Sequence, residues 1–325
     1  MIGSAIVGLG RWGRAIIEAA QRSERLRFVR GISKEPETVV DFAAANGLAL
    51  STEYSDALND PGVEAVFLAT PHSLHVEQIM AAATADKSVW CEKPLALTRA
   101  DAERAVAACT NAGVTLGVGN NKRCFASMRE LKHIVSAGTI GEVLHIEGHY
   151  SNEHSTRVQG GGWRDDPHES PGGGMTGAGL HLIDAFVNIA GPIAAVDARV
   201  HSHKRVPDPR DAAAALVEFE SGATGLLGTV RAVPTFWRVH VFGSNGFAEA
   251  RDETTLTVAC NGEKPETRTL APVDSLAVLL EAFAESIETG EPFAVPTDEM
   301  LDVVGAFEAV IRSTVERRPI SVRRA

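Results

Sequence analysis

Short apolar runs alternate with segments of helical period over the first third of the chain. Ser4-Ala5-Ile6-Val7 reads as a strand, and 12–22 as a helix with Ile16, Ile17 and Ala20 on one face. Leu26–Ile32 is a second strand. Pro36 opens a helix that Asn46-Gly47 closes, each residue at the helix end it suits. Ala65-Val66-Phe67-Leu68-Ala69 is apolar at every position, as expected of a strand covered on both faces of a parallel sheet. A helix over 74–83, a strand over Ser88–Cys91, a helix capped by Thr98 and ending near Gly113, and a strand over 114–118 continue the alternation. Repeated strand–helix–strand units predict a doubly wound parallel sheet over 1–121.

The pattern changes after Asn121. One helix, 125–137, leads into longer alternating runs at 143–150, 194–201, 213–219, 223–230 and 236–242. Such runs predict antiparallel strands with one face on a core. Helices over 276–288 and 298–315 close the chain, so 122–325 reads as an α+β domain with a large, open-faced, mostly antiparallel sheet. Within it lies a polar, glycine-rich stretch, 152–174, longer than a connector needs.

Gly8-Leu9-Gly10-Arg11-Trp12-Gly13 follows the first strand and opens the first helix. Gly8 permits a tight turn, Gly10 leaves the backbone bare for a pyrophosphate, and Gly13 lets helix and strand pack closely. The helix start adds N–H groups and a positive dipole end. A purely structural glycine turn is the competing reading, and the position at the first strand–helix junction weighs against it. The second strand ends Gly31-Ile32-Ser33-Lys34, where an NAD site usually carries an acid for the ribose 2′-hydroxyl. Ser33 can donate to a 2′-phosphate, and Lys34 and Arg11 can neutralise it, so the expected cofactor is NADP. The alternative makes Ser33-Lys34 a surface turn and Glu35 the ribose ligand.

Cys91-Glu92-Lys93-Pro94 follows the strand Ser88–Cys91 at its carboxyl end, where ligands bind in such sheets. Lys93 there could polarise a carbonyl or carry a hydroxyl proton. By itself a Glu-Lys-Pro is usually a solvated turn. A second segment, Gly172-Gly173-Gly174-Met175-Thr176-Gly177-Ala178-Gly179-Leu180-His181-Leu182-Ile183-Asp184, brings bare backbone close to something and then opens a helix. His181 and Asp184 share a face of it, a suitable proton relay near neutral pH. Trp163 could stack on a sugar face and Arg164 could bind a hydroxyl or carboxylate; a surface loop anchored by Trp163 explains the same residues. His154 and Arg157 are weaker candidates of that kind.

Taken together, the Gly8–Gly13 turn, Ala69-Thr70-Pro71-His72-Ser73-Leu74-His75, Glu92-Lys93-Pro94 and the glycine segment before His181 resemble the glucose–fructose oxidoreductase/inositol dehydrogenase (Gfo/Idh/MocA) family, in order and over essentially the whole chain. The resemblance implies a Rossmann domain followed by an open-faced sheet domain that forms homodimers or homotetramers. It implies hydride transfer to or from a sugar, cyclitol or related polyhydroxy compound. Thr70, Pro71, His72 and His75 would line the cofactor together with Glu92 and Lys93. Lys93 and His181 would be catalytic and Asp184 would touch substrate hydroxyls, while Asn121 and Arg123 fall where the family has an Asn–basic pair and would bind substrate with it. One departure stands out: many members carry Asp four residues before the histidine, and here that residue is Gly177. Two other readings are a redox-neutral enzyme with tightly held dinucleotide and a dinucleotide-sensing regulator.

Composition adds exclusions. A net charge of −11 disfavours general nucleic-acid binding, and the apolar runs are too short to span a bilayer. Four scattered cysteines with no CxxC pair, and a first strand with no secretory segment ahead of it, read as a cytoplasmic protein. His72/His75 and His201/His203 lack a third ligand nearby, and the second pair neighbours Lys204 and Arg205, so no metal is expected.

Overall fold

The structure, a computed structural model, describes residues 1–154, 162–203 and 210–322. Arg157, Lys204 and Arg205 lie outside the described residues. The chain forms two compact units, one of Met1–Asn121 with Leu276–Met300 and one of Lys122–Ser275 with Leu301–Ala325.

In the first unit, strands β1 (Ile2–Val7), β2 (Leu26–Ile32), β3 (Ala49–Ser51), β4 (Ala65–Leu68), β5 (Ser88–Cys91) and β6 (Leu116–Val118) form a parallel sheet in the order β3-β2-β1-β4-β5-β6. Helices α1 (Arg11–Ala20), α2 (Val40–Ala45), α3 (Tyr54–Leu58), α4 (His75–Thr84) and α5 (Arg99–Ala112) connect the strands. The strand order reverses between β1 and β4, which opens a crevice beyond their carboxyl ends. Thr98 caps α5 by accepting the Asp101 N–H at 3.2 Å, and Gly113 ends it in the left-handed region at φ +68°.

The sequence boundary at residue 121 assigns 276–300 to the wrong unit. Helix α8 (Ser275–Thr289) presents Phe283, fully buried, to Phe67, Trp90 and Phe293 at ring-centroid distances of 5.5, 5.6 and 6.0 Å. The all-apolar strand β4 and its neighbour β5, buried at every residue, therefore find their cover in a helix that begins 184 residues after β5 ends. Gly117 on β6 makes room for this ring: a Cβ there would lie 2.7 Å from it.

The second unit holds helices α6 (Ala126–Ser136), α7 (Leu180–Ala190) and α9 (Thr297–Glu316), α9 beginning in the first unit. Its strands among the described residues are β7 (Val143–Ser151), β8 (Ile193–His201), β9 (Ala212–Phe219), β10 (Thr224–Val230), β11 (Phe236–Gly243), β12 (Gly246–Arg251), β13 (Thr255–Cys260), β14 (Glu266–Thr269) and β15 (Ile320–Ser321), in the order β14-β13-β12-β11-β7-β10-β9-β8-β15. All neighbours run antiparallel except β7 and β10. Strands β12 to β14 extend the sheet beyond the five long runs that the hydrophobic pattern marks. Helix α7 packs on one face, where Gly148 and Gly225 leave room for the Phe186 ring. Leu144, Leu216, Leu226, Phe236 and Phe242 are exposed on the sheet strands.

Phe283→Ala is expected to cost the protein about 3–5 kcal/mol, the usual loss for a fully buried phenylalanine, read as a drop in the urea midpoint. A loss below about 1 kcal/mol would show that the first unit does not need α8 for its core.

Candidate active site

The Gly8–Gly13 turn is shaped at both ends by contacts that glycine alone allows. Gly8 has φ +92°, and a Cβ there would lie 2.7 Å from the Ala69 carbonyl oxygen. At Gly13 a Cβ would overlap the Gly8 carbonyl at 1.9 Å, so α1 lies directly on the turn. Gly10 differs: nothing stands within 4 Å of a Cβ there. The two outer glycines answer crowding and the middle one answers open space, where a pyrophosphate would approach. Intrahelical bonding starts with the Arg14 N–H to the Gly10 carbonyl, so the N–H groups of 11–13 precede the ladder and face an incoming anion. Leu9 is buried and packs against Gly31; Arg11 is exposed, 5.5 Å over the half-buried Trp12 ring. The residues fit a dinucleotide. At the end of β2, Ser33 Oγ accepts the Glu35 N–H at 3.2 Å and keeps its own proton to donate, while Lys34 and Glu35 are both exposed.

After β4, the Thr70 hydroxyl donates to Gln78 Oε1 at 2.6 Å, and Pro71 and His72 are half-buried. His75 opens α4 and is fully buried. Its Nδ1 lies 2.8 Å from the Pro94 carbonyl and its Nε2 3.2 Å from the Thr70 carbonyl, so one ring braces both the Thr70 segment and the Lys93 turn. His72 meets it edge-on at 5.7 Å. Lys93 is half-buried just past β5, and the Lys93–Pro94 peptide is cis. Glu92 is buried against Gly119, where a Cβ would come within 2.6 Å of its carboxylate.

In the second unit, Met175–Gly179 form a π-helical turn that runs into α7. Such turns recur at functional sites because they re-aim the residues that follow. A Cβ at Gly179 would overlap the Met175 sulfur. His181 and Asp184 are both buried on α7. Asp184 and Arg123, each expected to meet substrate, meet one another: Arg123 donates from Nη2 at 2.5 Å and from Nε at 3.2 Å to the two carboxylate oxygens. Asn121, half-buried, begins the short 3-10 turn Asn121–Cys124 that carries Arg123. Trp163 carries the Arg164 guanidinium on its ring at 4.1 Å, so one face is already covered. His154 donates its N–H to Asn152 Oδ1 at 2.9 Å. Among the described residues no group of three or more His, Cys, Asp or Glu gathers as metal ligands.

Three residues were not singled out in the sequence. Lys122 Nζ stands 4.6 Å over both the Phe125 and Tyr150 rings and 5.6 Å over Trp237. Tyr150 in turn meets the His181 ring edge-on at 5.9 Å. Arg231, just past β10, lays its guanidinium against Gly177. A basic pair, Lys122-Arg123, is visible in sequence, but the strand pairing Trp237 with Tyr150 that builds the cage is not.

The chain matches two family models: the GFO/IDH/MocA oxidoreductase family, NAD-binding Rossmann fold, over residues 2–120, and the GFO/IDH/MocA C-terminal domain over 128–249. It is 30% identical to 1,5-anhydro-D-fructose reductase of Ensifer adhaerens over 90% of each chain, and 30% identical to myo-inositol 2-dehydrogenase of Thermotoga maritima over 85% of each. Among solved structures, aldose–aldose oxidoreductase of Caulobacter crescentus superposes with a TM-score of 0.87 at 28% identity, covering 98% of this chain and 99% of that one.

Burial pushes the Lys122 ammonium down from the usual 10.5 to about 8, against a smaller opposing pull from Glu253. The folded protein then holds this proton more weakly than the unfolded chain, so between about pH 8 and 10.5 folding releases it. Stability attributable to Lys122 should therefore rise with pH across that window. Urea unfolding of wild type and Lys122→Met at intervals from pH 7 to 10 reads this as a stability difference moving in the wild type's favour; a flat difference would refute it.

Proposed function

The chain is a member of the GFO/IDH/MocA family of NAD(P)-dependent oxidoreductases, and we propose that it moves a hydride between the nicotinamide and a hydroxyl–carbonyl pair of a sugar, cyclitol or related polyhydroxy compound. The bound dinucleotide supplies the hydride donor or acceptor. Its pyrophosphate is held by Gly8, Gly10, Gly13 and the start of α1, and Thr70, Pro71 and His72 line it. The observation that carries the reading is the open ground at Gly10 between two glycines locked by contact. Lys93 gives the substrate oxygen a proton on reduction and takes it on oxidation. His181 is the second proton-handling group, and Tyr150 holds its ring. Asp184 acts through Arg123, with which it is paired. Ser33 and Lys34 favour NADP over NAD, because they bring a donor and a cation to the end of β2 without an acid between them.

The aldose–aldose oxidoreductase among the relatives supports a second reading, in which the dinucleotide stays bound and one sugar is oxidised as another is reduced. Absorbance of reduced nicotinamide separates the two: accumulation in solution during turnover supports the first, and product without accumulation supports the second. Exposed Leu216 and Leu226 on the sheet support a homodimer or homotetramer assembled through it, and the four scattered cysteines without a CxxC pair support a place in the cytoplasm. No described helix is long and apolar enough to cross a membrane.

Lys93→Ala should lower kcat by roughly 10²–10⁴-fold with little change in dinucleotide affinity, and His181→Ala should be milder. Steady-state kinetics with fluorescence titration of the dinucleotide checks both; a Lys93→Ala enzyme that keeps more than about half of wild-type kcat has lost no acid–base group.

Ser33→Asp should weaken NADP by charge repulsion and strengthen NAD through the ribose hydroxyls. Titrating both dinucleotides reads the ratio of the two dissociation constants, and an unchanged ratio would assign ribose recognition to other residues.

A further inference from the structure

Arg14, one residue past Gly13 on α1, is half-buried and reaches out of its helix in two directions. Its Nε donates to the Leu9 carbonyl at 3.2 Å, inside the Gly8–Gly13 turn. Its Nη2 donates to the Thr38 carbonyl at 3.3 Å, beyond the end of β2. The guanidinium lies over the Phe42 ring of α2, 5.1 Å from its centroid. One planar group thus joins the two places in the first unit where a dinucleotide would be read: the turn that would hold the pyrophosphate and the segment that would meet the adenosine ribose.

The sheet makes this connection only as far as Ser33. There the Gly8 N–H donates to the Ile32 carbonyl at 2.9 Å, and the Ser33 N–H to the Ser51 carbonyl at 3.0 Å. Beyond Ser33 the chain leaves the sheet, and Lys34, Glu35, Glu37 and Thr38 are exposed. The bonds of this segment run back from Thr38. Its N–H and its hydroxyl both donate to the Glu35 carbonyl, at 3.1 and 2.8 Å, and the Glu35 N–H donates to Ser33 Oγ at 3.2 Å. Thr38 anchors the segment, and Arg14 anchors Thr38 to the glycine turn. The Ser33 hydroxyl and Lys34 are therefore set relative to the pyrophosphate turn through one side chain. A group on the ribose 2′ carbon sits at a set offset from the pyrophosphate, so contacts to it are selective only while that spacing is kept.

We propose that Arg14 is a positioning residue for ribose recognition: acting through Thr38, it sets how sharply a 2′-phosphate is told from a 2′-hydroxyl. This role rests on the reading of the Gly8–Gly13 turn as a dinucleotide site and adds to it the residue that fixes its ribose selectivity. Lysine is a poor substitute, because a single ammonium does not span two carbonyls and lie flat on a ring as a guanidinium does.

The test titrates adenosine 2′,5′-bisphosphate and 5′-AMP, which differ only at the 2′ position, into wild type, Arg14→Met and Arg14→Lys by calorimetry. Kinetics with NADP and a panel of sugars and polyols run alongside. Wild type should bind the bisphosphate more tightly than 5′-AMP. In Arg14→Met the ratio of the two Kd values should shrink about tenfold, the worth of one hydrogen bond from a charged donor. Arg14→Lys, closer to wild type in charge and length, should shrink it less. The KM for NADP should rise by more than kcat falls. Equal weakening of both nucleotides in the two variants, with the ratio unchanged, is what a merely structural arginine gives; it would overturn the inference and leave the dinucleotide and oxidoreductase readings standing. A wild type that binds both nucleotides equally would overturn it in the same way. A ratio that shrinks in a protein with no coupled turnover of any sugar or polyol would uphold the inference and overturn the oxidoreductase reading. A wild type that binds neither nucleotide would overturn the dinucleotide reading and the inference with it.

Discussion

The buried pair between Arg123 and Asp184 organises the second unit. One member comes from a four-residue turn and the other from α7. Neither charge could be left alone at this depth, since removing one partner of a buried pair typically costs 3–5 kcal/mol. The pair therefore fixes where the turn lies on the helix. Two further placements follow from that one. His181, three residues before Asp184, is set in azimuth on α7, and Lys122, next to Arg123, is delivered to the cage of Phe125, Tyr150 and Trp237. The cage closes the circuit because Tyr150 touches His181. The histidine is held from its own helix and from the sheet at once.

Much of the first unit was legible from the order of residues. Strands β1 and β4 are short and mostly apolar, helix α5 carries its own start and stop residues in Thr98 and Gly113, and the Gly8–Gly13 turn is a local motif. Physical chemistry within some ten residues decides each of these. What was not legible depends on distant partners. Phe283 completes the core around Trp90, yet nothing near 283 announces it. Ser244-Asn245 is a tight hairpin turn between β11 and β12, and the short runs after it are half polar, so the sheet's far edge escapes the hydrophobic pattern.

The active-site residues divide along the same line. Gly8, Gly10, Gly13, Lys93 and His181 belong to motifs whose spacing is itself the signal. Arg123 and Asp184 read singly as hands for the substrate, and nothing in a separation of 61 residues hints that they hold each other. Arg231 carries no local signal: it follows an ordinary strand and matters only because that strand ends beside the glycine segment. Glycines there reported that something approaches the backbone, and only the folded chain says that it is an arginine.

His75 ties the Thr70 segment, the proposed cofactor wall, to the turn of Lys93, the proposed proton donor. Its ring spans the carbonyls of Thr70 and Pro94, so the two segments share a single strut inside the first unit. A strut of this kind removes a degree of freedom: the Thr70 segment and the Lys93 turn cannot be adjusted separately while the imidazole stands between them. Drift in how the chain seats its dinucleotide is then felt at the lysine. Reengineering one function without disturbing the other would have to begin by replacing the strut, a residue that no solvent molecule reaches.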